Sequence, residues 1–174
     1  VEACEERVEI AAIELNVSCP NVKTGLDIGA DPKQLELVVG ELTPRTSKPL
    51  IVKLTPNCAD VVACAKAAQE GGADALSLIN TLRAMALDPA SEVPQPWLGG
   101  GSGGLSGPAV RAVALAQVAA VAAGVSIPVV GMGGVHSAAH ARALLDVGAH
   151  LVAVGTANFL DPTVAGRIAA ELDG

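Results

Sequence analysis

Three segments of this 174-residue sequence place side chains suited to chemistry directly after apolar runs. Cys19 lies in the segment NVSCPN, Lys53 lies in the run PLIVKLT, and Asn80 and Thr81 follow ADALSLI. A thiol can serve as a base or a nucleophile when its surroundings favour the thiolate. A lysine within an apolar run is costly unless its charge has a partner, so we favour a role for Lys53 in anion binding.

Structural roles for these residues remain open at this point. Cys19 could be a small buried thiol packed under a proline turn, and Lys53 could extend its ammonium group to solvent. Asn80 and Thr81 could form a turn or a cap. Because three consecutive segments end in polar side chains, the functional interpretation is stronger for the group than for any one member.

Two glycine-rich turns occur later in the chain. Gly133 and Gly134 follow the run IPVVGM, and Gly155 ends the run AHLVAVG and is followed by Thr156. Backbone N–H groups in such turns can bind a phosphate. The segment GMGGVHS lacks the G-x-G-x-x-G spacing of a dinucleotide-binding turn, which would also follow the first strand. The two turns therefore predict a phosphate site of another kind.

No metal site is predicted from the histidines and cysteines. His136 and His140 lie four residues apart without the Glu of H-E-x-x-H, so we interpret them as part of a solvated helix face. The four cysteines form no C-x-x-C pair, and free thiols are expected. We place Cys58 and Cys64 on a helix and expect them to be unreactive.

The elements that position these residues alternate between short apolar strands and Ala-rich helices. Strands are predicted over 11–18, 49–55, 73–80, 127–132 and 149–155. Helices are predicted after Asp31-Pro32, after Asn57 as an N-cap, from Ser106 to about Gly124, over 137–147, and after Asp161-Pro162. The stretch 82–107, rich in Pro and Gly, is predicted to be a long loop.

Alternating strands and helices predict an α/β fold with a parallel sheet covered by helices. A doubly wound sheet and a (β/α)8 TIM barrel both fit, and glycine turns after the last two strands favour the barrel. A complete barrel has eight units in ~250 residues. With about five units, the sequence is expected to be a partial barrel that lacks the N-terminal part.

Composition excludes several classes of protein. The chain is 51% hydrophobic, carries a net charge of −7, and contains only Trp97 and Phe159 as aromatic residues. These values argue against intrinsic disorder and against nucleic-acid binding. The sequence contains no uninterrupted apolar run of 18 residues, so no membrane span is predicted. The acidic start VEACEERVEI does not resemble a signal peptide. A cytoplasmic protein is therefore expected.

Six segments in order give the sequence a family resemblance: ELNVSCPNVKTG, IVKLTPN, LSLINTL, GGLSGPAVR, IPVVGMGGV and VAVGTANF. Together they resemble the class 1 dihydroorotate dehydrogenases, and most closely the NAD-linked form that works with an electron-transfer subunit. That family has an FMN-binding TIM barrel. The resemblance implies that residues 1–174 are the C-terminal part of a single FMN-binding domain.

The resemblance also implies a role for each candidate residue. Cys19 would be the base that removes the C5 proton of dihydroorotate, while the C6 hydride passes to FMN. Asn16, Asn80 and Thr81 would bind the pyrimidine, and Asn16 would also reach the flavin. Lys53 would stabilise negative charge on the reduced flavin. The remaining FMN contacts would come from Ile79, Gly107, Gly133, Gly134, Gly155 and Thr156.

The implied function is oxidation of dihydroorotate to orotate in pyrimidine biosynthesis. The implied partner is a subunit carrying FAD and an iron–sulfur cluster, and the implied core is a homodimer. Two alternatives remain: another FMN barrel acting on a dihydropyrimidine base, and a flavin-free phosphate-binding isomerase or synthase. Because a partial barrel leaves strand edges unpaired, we expect this chain alone to fold poorly and to be inactive.

Overall fold

A computed structural model describes residues 1–18 and 28–173 of the chain. Five strands form one parallel sheet in the order β1-β2-β3-β6-β7. The strands are β1 (Ile13–Asn16), β2 (Leu50–Lys53), β3 (Ala75–Leu78), β6 (Val129–Met132) and β7 (Leu151–Ala153). Two further strands, β4 (Leu82–Ala84) and β5 (Gly103–Leu105), pair antiparallel as a separate hairpin. The predicted alternation of strands and helices is confirmed.

Six α-helices accompany these strands within the described residues: α1 (Glu2–Glu5), α2 (Pro32–Leu42), α3 (Val61–Glu70), α4 (Arg111–Gly124), α5 (Ala138–Asp146) and α6 (Val164–Asp173). Side-chain caps begin three of them. Asp31 accepts hydrogen bonds from the amides of residues 33 and 34, and Asp60 caps α3 in the same way. Ser137 caps α5. Such caps satisfy amide groups that a helix leaves without partners.

The hydrophobic core lies between the sheet and the helices. Alternate residues of β2 and β3 are fully buried there: Leu50, Val52, Leu76 and Leu78. Because side chains alternate across a strand, the residues between them point to the opposite face of the sheet. That opposite face, which carries Lys53, opens onto a cavity.

The strand register brings polar residues together at the carboxyl edge of the sheet. Asn16 is paired with Lys53 across β1 and β2, and Lys53 is paired with Ser77 across β2 and β3. All five strands run parallel, so their carboxyl ends meet at one edge. In barrels this is the edge that carries the functional residues.

Two helix assignments made from the sequence are wrong. Asp60, not Asn57, is the N-cap of α3. The Asn57 side chain instead donates to the carbonyl of Thr81 (3.0 Å) and accepts from the backbone amide of Arg83 (2.7 Å). Cys58 lies in the turn before α3 rather than on the helix. A polar residue before a helix can satisfy a neighbouring loop as readily as it caps the helix.

The segment 82–107 is more ordered than the predicted long loop. It begins and ends in the paired strands β4 and β5, and a further bridge joins Leu87 to Pro96. The sequence did not indicate this hairpin because each strand is only three residues long. Asn80 and Thr81 precede β4 directly, and the Thr81 side chain lies against Gly104 of β5.

One stretch of the described chain has the length and hydropathy of a membrane span, namely Gly107–Gly124. In the structure it is a 3-10 turn followed by α4. Ala114, Val118 and Val121 of α4 are fully buried in the core. The apolar composition of α4 is accounted for by its packing against β6 and α3.

Candidate active site

A cavity of about 560 Å³ opens at the carboxyl edge of the sheet. This volume falls within the range of small-molecule and cofactor sites, roughly 300–1,000 Å³. Its wall includes nine of the candidate residues: Lys53, Ile79, Asn80, Thr81, Gly107, Gly133, Gly134, Gly155 and Thr156. Residues from separate segments of the sequence are therefore brought to one space.

Lys53 faces the cavity with its charge paired. Its Nζ lies 3.2 Å from Oε1 of Glu14, which also lines the cavity. The other oxygen of Glu14 accepts a hydrogen bond of 2.8 Å from Oγ of Ser77, a fully buried residue. The expectation that the lysine needs a partner is thus met by a carboxylate on the neighbouring strand. An ammonium group with several donors can still bind a further anionic or carbonyl oxygen.

The two asparagines lie in hydrogen-bonding contact. Nδ2 of Asn80 donates to Oδ1 of Asn16 (3.0 Å), and Oδ1 of Asn80 accepts from the backbone amide of Thr81 (2.8 Å). Oδ1 of Asn16 also accepts from the amide of Ser18 (3.2 Å). These bonds engage the oxygen of Asn16, and among residues 1–18 and 28–173 its amino group makes no hydrogen bond. Asn80 lines the cavity, whereas Asn16 is bonded to it but is not among the residues of the cavity wall.

The glycine turns also line the cavity and lie close to one another. Gly133 and Gly134 have φ values of +136° and +68°, and Gly107 has +78°. A Cβ atom on Gly134 would lie 2.7 Å from the carbonyl oxygen of Gly107. The hydroxyl of Thr156 donates to Oγ of Ser106 (2.9 Å), which joins the last turn to the others. Only residues without a side chain allow these turns to approach so closely.

The expected helix face holds only one of the two histidines, because His140 lies on α5 whereas His136 precedes it. His136 lines the cavity, and its ring lies 4.2 Å from that of His140 in an edge-to-face arrangement. Burial lowers the pKa of His140, and the nearby charges of Arg111 and His136 lower it further. Among residues 1–18 and 28–173, no cluster of three His, Cys, Asp or Glu side chains could hold a metal.

Cys19 lies outside the described residues, so its assignment as the base stays a prediction. The two thiols around α3 are unsuited to that role. Cys64 is fully buried, and burial raises its pKa to about 12. Burial also raises the pKa of Cys58, whose Sγ lies 3.4 Å from the carbonyl of Thr55. Thiols in such surroundings stay protonated and unreactive.

The family model for dihydroorotate dehydrogenase matches residues 3–174 of the chain. The chain belongs to the dihydroorotate dehydrogenase family. It is 52% identical over 166 residues to the catalytic subunit of dihydroorotate dehydrogenase B (NAD(+)) from Geobacter sulfurreducens, covering 95% of this chain and 54% of that protein. It is also 52% identical to the protein of the same name from Maridesulfovibrio salexigens, covering 94% of this chain and 53% of the relative. The chain spans about half the length of these curated relatives.

A solved structure shows the same fold. The crystal structure of DHODH from Eimeria tenella in complex with ferulenol superimposes with a TM-score of 0.75. The match covers 93% of this chain and 49% of the other, at 22% sequence identity. The five-stranded sheet is thus the fold of part of a dihydroorotate dehydrogenase barrel.

Dihydroorotate dehydrogenases are in general flavin-dependent, and the cavity suits such a group. The turns at Gly107, Gly133-Gly134 and Gly155 line the cavity, where their backbone N–H groups can meet a phosphate. Ile79 and Lys53 line the same cavity. An apolar space with a few convergent polar groups fits a ring system with a phosphate tail.

Sequence reasoning missed Glu14. It is the only acidic residue among the described residues that line the cavity. A signal was present: in the strand IELN, Glu14 lies two residues before Asn16, and alternation places both on one face. A carboxylate on the same face as a predicted ligand-binding amide marks a candidate partner for a buried lysine.

Proposed function

We propose that the protein containing this chain oxidises dihydroorotate to orotate with FMN bound in the cavity. The observation that carries the proposal is the convergence of Lys53, Asn80 and the glycine turns of residues 107, 133–134 and 155 on one cavity. The names of the relatives, which describe dihydroorotate dehydrogenases, give the substrate.

The glycine turns would hold the FMN phosphate through backbone N–H groups, with Thr156 beside them. Lys53 would face the flavin ring from the carboxyl end of β2, where its positive charge favours the electron-rich reduced form. Ile79 would contact the ring through its backbone. When bound, FMN would supply the acceptor for the hydride that leaves C6 of dihydroorotate.

Asn16, Asn80 and Thr81 would orient the pyrimidine ring. The bond between the two amides restrains both, which lowers the entropy cost of holding a planar substrate in one pose. A ring with carbonyl and N–H groups along its edge matches the donors and acceptors of these side chains. These residues therefore supply orientation and specificity.

Cys19 would take the proton from C5 of the substrate. It lies three residues after Asn16, just beyond the carboxyl end of β1. Residues at this edge of a barrel reach the substrate site. The thiol would thus remove a proton at one carbon while hydride leaves the next, which forms the double bond of orotate.

We further propose that residues 1–174 form the C-terminal part of one FMN-binding domain. The chain matches about half the length of its relatives. Within the described residues, the outer strands β1 and β7 each pair on one side only. Leu151 on β7 is 65% exposed, as expected for a strand that another part of a barrel would cover.

The term "catalytic subunit" in the names of the relatives supports an electron-transfer partner for this protein too. We propose a subunit with FAD and an iron–sulfur cluster, which passes electrons to NAD, around a homodimeric core. Because NAD is the proposed final acceptor, we place the reaction in the cytoplasm.

The test is anaerobic mixing of the purified, complete catalytic subunit with either dihydroorotate or dihydrouracil. We expect one FMN per subunit and bleaching of its visible absorbance by dihydroorotate alone. Cys19→Ala should slow bleaching by about 10²–10⁴-fold, whereas Cys64→Ala should not. Bleaching by dihydrouracil instead would favour a different pyrimidine substrate, and a subunit without flavin would exclude FMN chemistry.

A further inference from the structure

We infer that Glu14 is a positioning residue that holds the Lys53 ammonium group at the cavity wall and balances its charge. This inference rests on the proposed function, because its effect would be felt by the bound flavin. It assigns to Glu14 a role in setting how readily the site accepts electrons.

The contacts of Glu14 fix both of its oxygens. Oε1 lies 3.2 Å from Nζ of Lys53, and Oε2 accepts a 2.8 Å hydrogen bond from Oγ of Ser77. Ser77 is fully buried in β3, so the acceptor is tied to a rigid part of the sheet. The carboxylate on β1 therefore contacts both the adjacent strand β2, through Lys53, and the next strand β3, through Ser77.

The local surroundings make this ion pair more than a surface contact. The side chains of Lys53 and Glu14 are 24% and 39% exposed, and both line the cavity. A bound ligand would displace water from that space and lower the local dielectric constant. Charges that are only weakly felt in water act more strongly under those conditions.

Among the described residues of the cavity wall, Glu14 is the only one with a carboxylate. Lys53 is the only lysine or arginine there. The site therefore presents nearly balanced charge to a ligand, rather than the full positive charge of a lone lysine. A lone lysine would favour the electron-rich flavin more strongly. Glu14 moderates that preference while it keeps the ammonium group in place.

The test compares flavin midpoint potentials in the complete catalytic subunit, measured by equilibration with a reference dye. Glu14→Gln keeps the shape and hydrogen-bonding capacity of the side chain but removes its charge. We expect reduction to become about tenfold more favourable, which corresponds to a rise of about 30 mV for a two-electron couple. Glu36→Gln, the same change on the exposed face of α2, should leave the potential unchanged.

The variant Glu14→Asp shows whether the potential depends on the negative charge of residue 14 or on the length of its side chain. It keeps the negative charge but shortens the side chain, so its potential should lie close to that of the wild type. A shift in Glu14→Asp as large as that in Glu14→Gln would show a general disturbance of the site and overturn the inference. If Glu14→Gln fails to retain flavin, the inference still requires Glu14→Asp to retain it at the wild-type potential.

Failure of the inference is distinguishable from failure of the proposed function. A Glu14→Gln subunit that retains FMN at an unchanged or lowered potential overturns the inference, while turnover of dihydroorotate by the wild type leaves the function intact. A wild-type subunit that holds no flavin overturns both.

Discussion

A lysine lies at or near each end of strand β2 with a carboxylate from another element close by, but the two sets of groups are arranged differently. At the amino end, Nζ of Lys48 donates to the carbonyls of Arg7 (2.7 Å) and Ile10 (2.8 Å). The Glu5 carboxylate accepts from Ser47 Oγ at 2.6 Å nearby. At the carboxyl end, Lys53 contacts Glu14 at the wall of the cavity.

This difference indicates that the groups at one end of β2 stabilise the fold, whereas those at the other end are placed to contact a ligand. The groups at the amino end are engaged by fixed main-chain and side-chain partners, so they tie α1 and its following turn to β2. The groups at the carboxyl end face space that a ligand can enter. This agrees with the general division in barrels, in which one edge of the sheet supports the fold and the other binds the substrate.

The largest expected effect comes from removing each lysine in turn. Lys53→Met should lower the rate of flavin reduction by dihydroorotate by about 10²–10³-fold, because charge stabilisation at the reacting centre is lost. Lys48→Met should leave that rate unchanged and cost about 1 kcal/mol of stability, because two hydrogen bonds are lost. Stopped-flow absorbance and denaturant melts measure the two effects. A Lys48→Met subunit as slow as Lys53→Met would contradict the separation.

A glycine substitution tests whether the cavity edge depends on close backbone approach. Gly134→Ala would place a Cβ 2.7 Å from the Gly107 carbonyl at a φ of +68°, so we expect a loss of about 1–3 kcal/mol of stability and lower FMN occupancy. Gly166→Ala on α6 meets nothing within 4 Å, and it should stabilise the helix by up to about 1 kcal/mol. Thermal melts and the ratio of flavin to protein report both. Full flavin occupancy in Gly134→Ala would rule out the proposed phosphate turns.

A smaller effect is expected for acid stability at the amino end. Hydrogen bonds from Ser47 and Thr46 lower the pKa of Glu5 from its usual 4.5 to about 2. Above pH 4.5 the carboxylate is ionised in both folded and unfolded chains, so its full contribution to stability is present. As the pH falls from 4.5 towards 2, the unfolded chain is protonated first and the contribution is lost.

The comparison of Glu5→Gln with the wild type measures this contribution. The difference in melting temperature should be present at pH 7 and should shrink towards zero near pH 2. Glu6→Gln, a neighbouring exposed carboxylate, should show no such pH-dependent difference. A difference for Glu5→Gln that persists unchanged at low pH would mean that the hydrogen bonds to the carboxylate do not set its contribution.

The smallest expected effect concerns the thiol of Cys64. Because burial raises its pKa to about 12, iodoacetamide at pH 8 should modify it only after denaturation. Mass spectrometry of the labelled peptides measures this. Rapid labelling of the folded protein would show that the helix layer opens as readily as the cavity edge.

The sequence was sufficient to predict the parallel sheet, because five apolar runs alternate with helices bounded by recognisable caps such as Asp31 and Ser137. It also predicted that Lys53, Asn80 and the glycine turns share a site, since parallel strands place their carboxyl ends at one edge. The strands and helices follow from local sequence patterns, and the shared site follows from the rule that parallel strands end at one edge of the sheet.

The sequence did not predict contacts between residues that are far apart along the chain. The bond between Glu14 and Ser77 joins residues 63 positions apart on strands that are not neighbours. The hairpin of β4 and β5 similarly depends on pairing across 18 intervening residues, 85–102. Asn57 was misassigned as a cap because local sequence favours a helix start there, whereas the loop after β3 supplies its actual partners.

The bonds of Asn57 have a consequence for how the hairpin of β4 and β5 can move. Its side chain holds the carbonyl of Thr81 and the amide of Arg83, so the root of the hairpin is anchored to the turn after β2. Any swing of the hairpin must therefore bend farther out, beyond Ala84 and before Gly103. Asn80 and Thr81, the proposed pyrimidine contacts, can then stay in register while the tip of the hairpin moves.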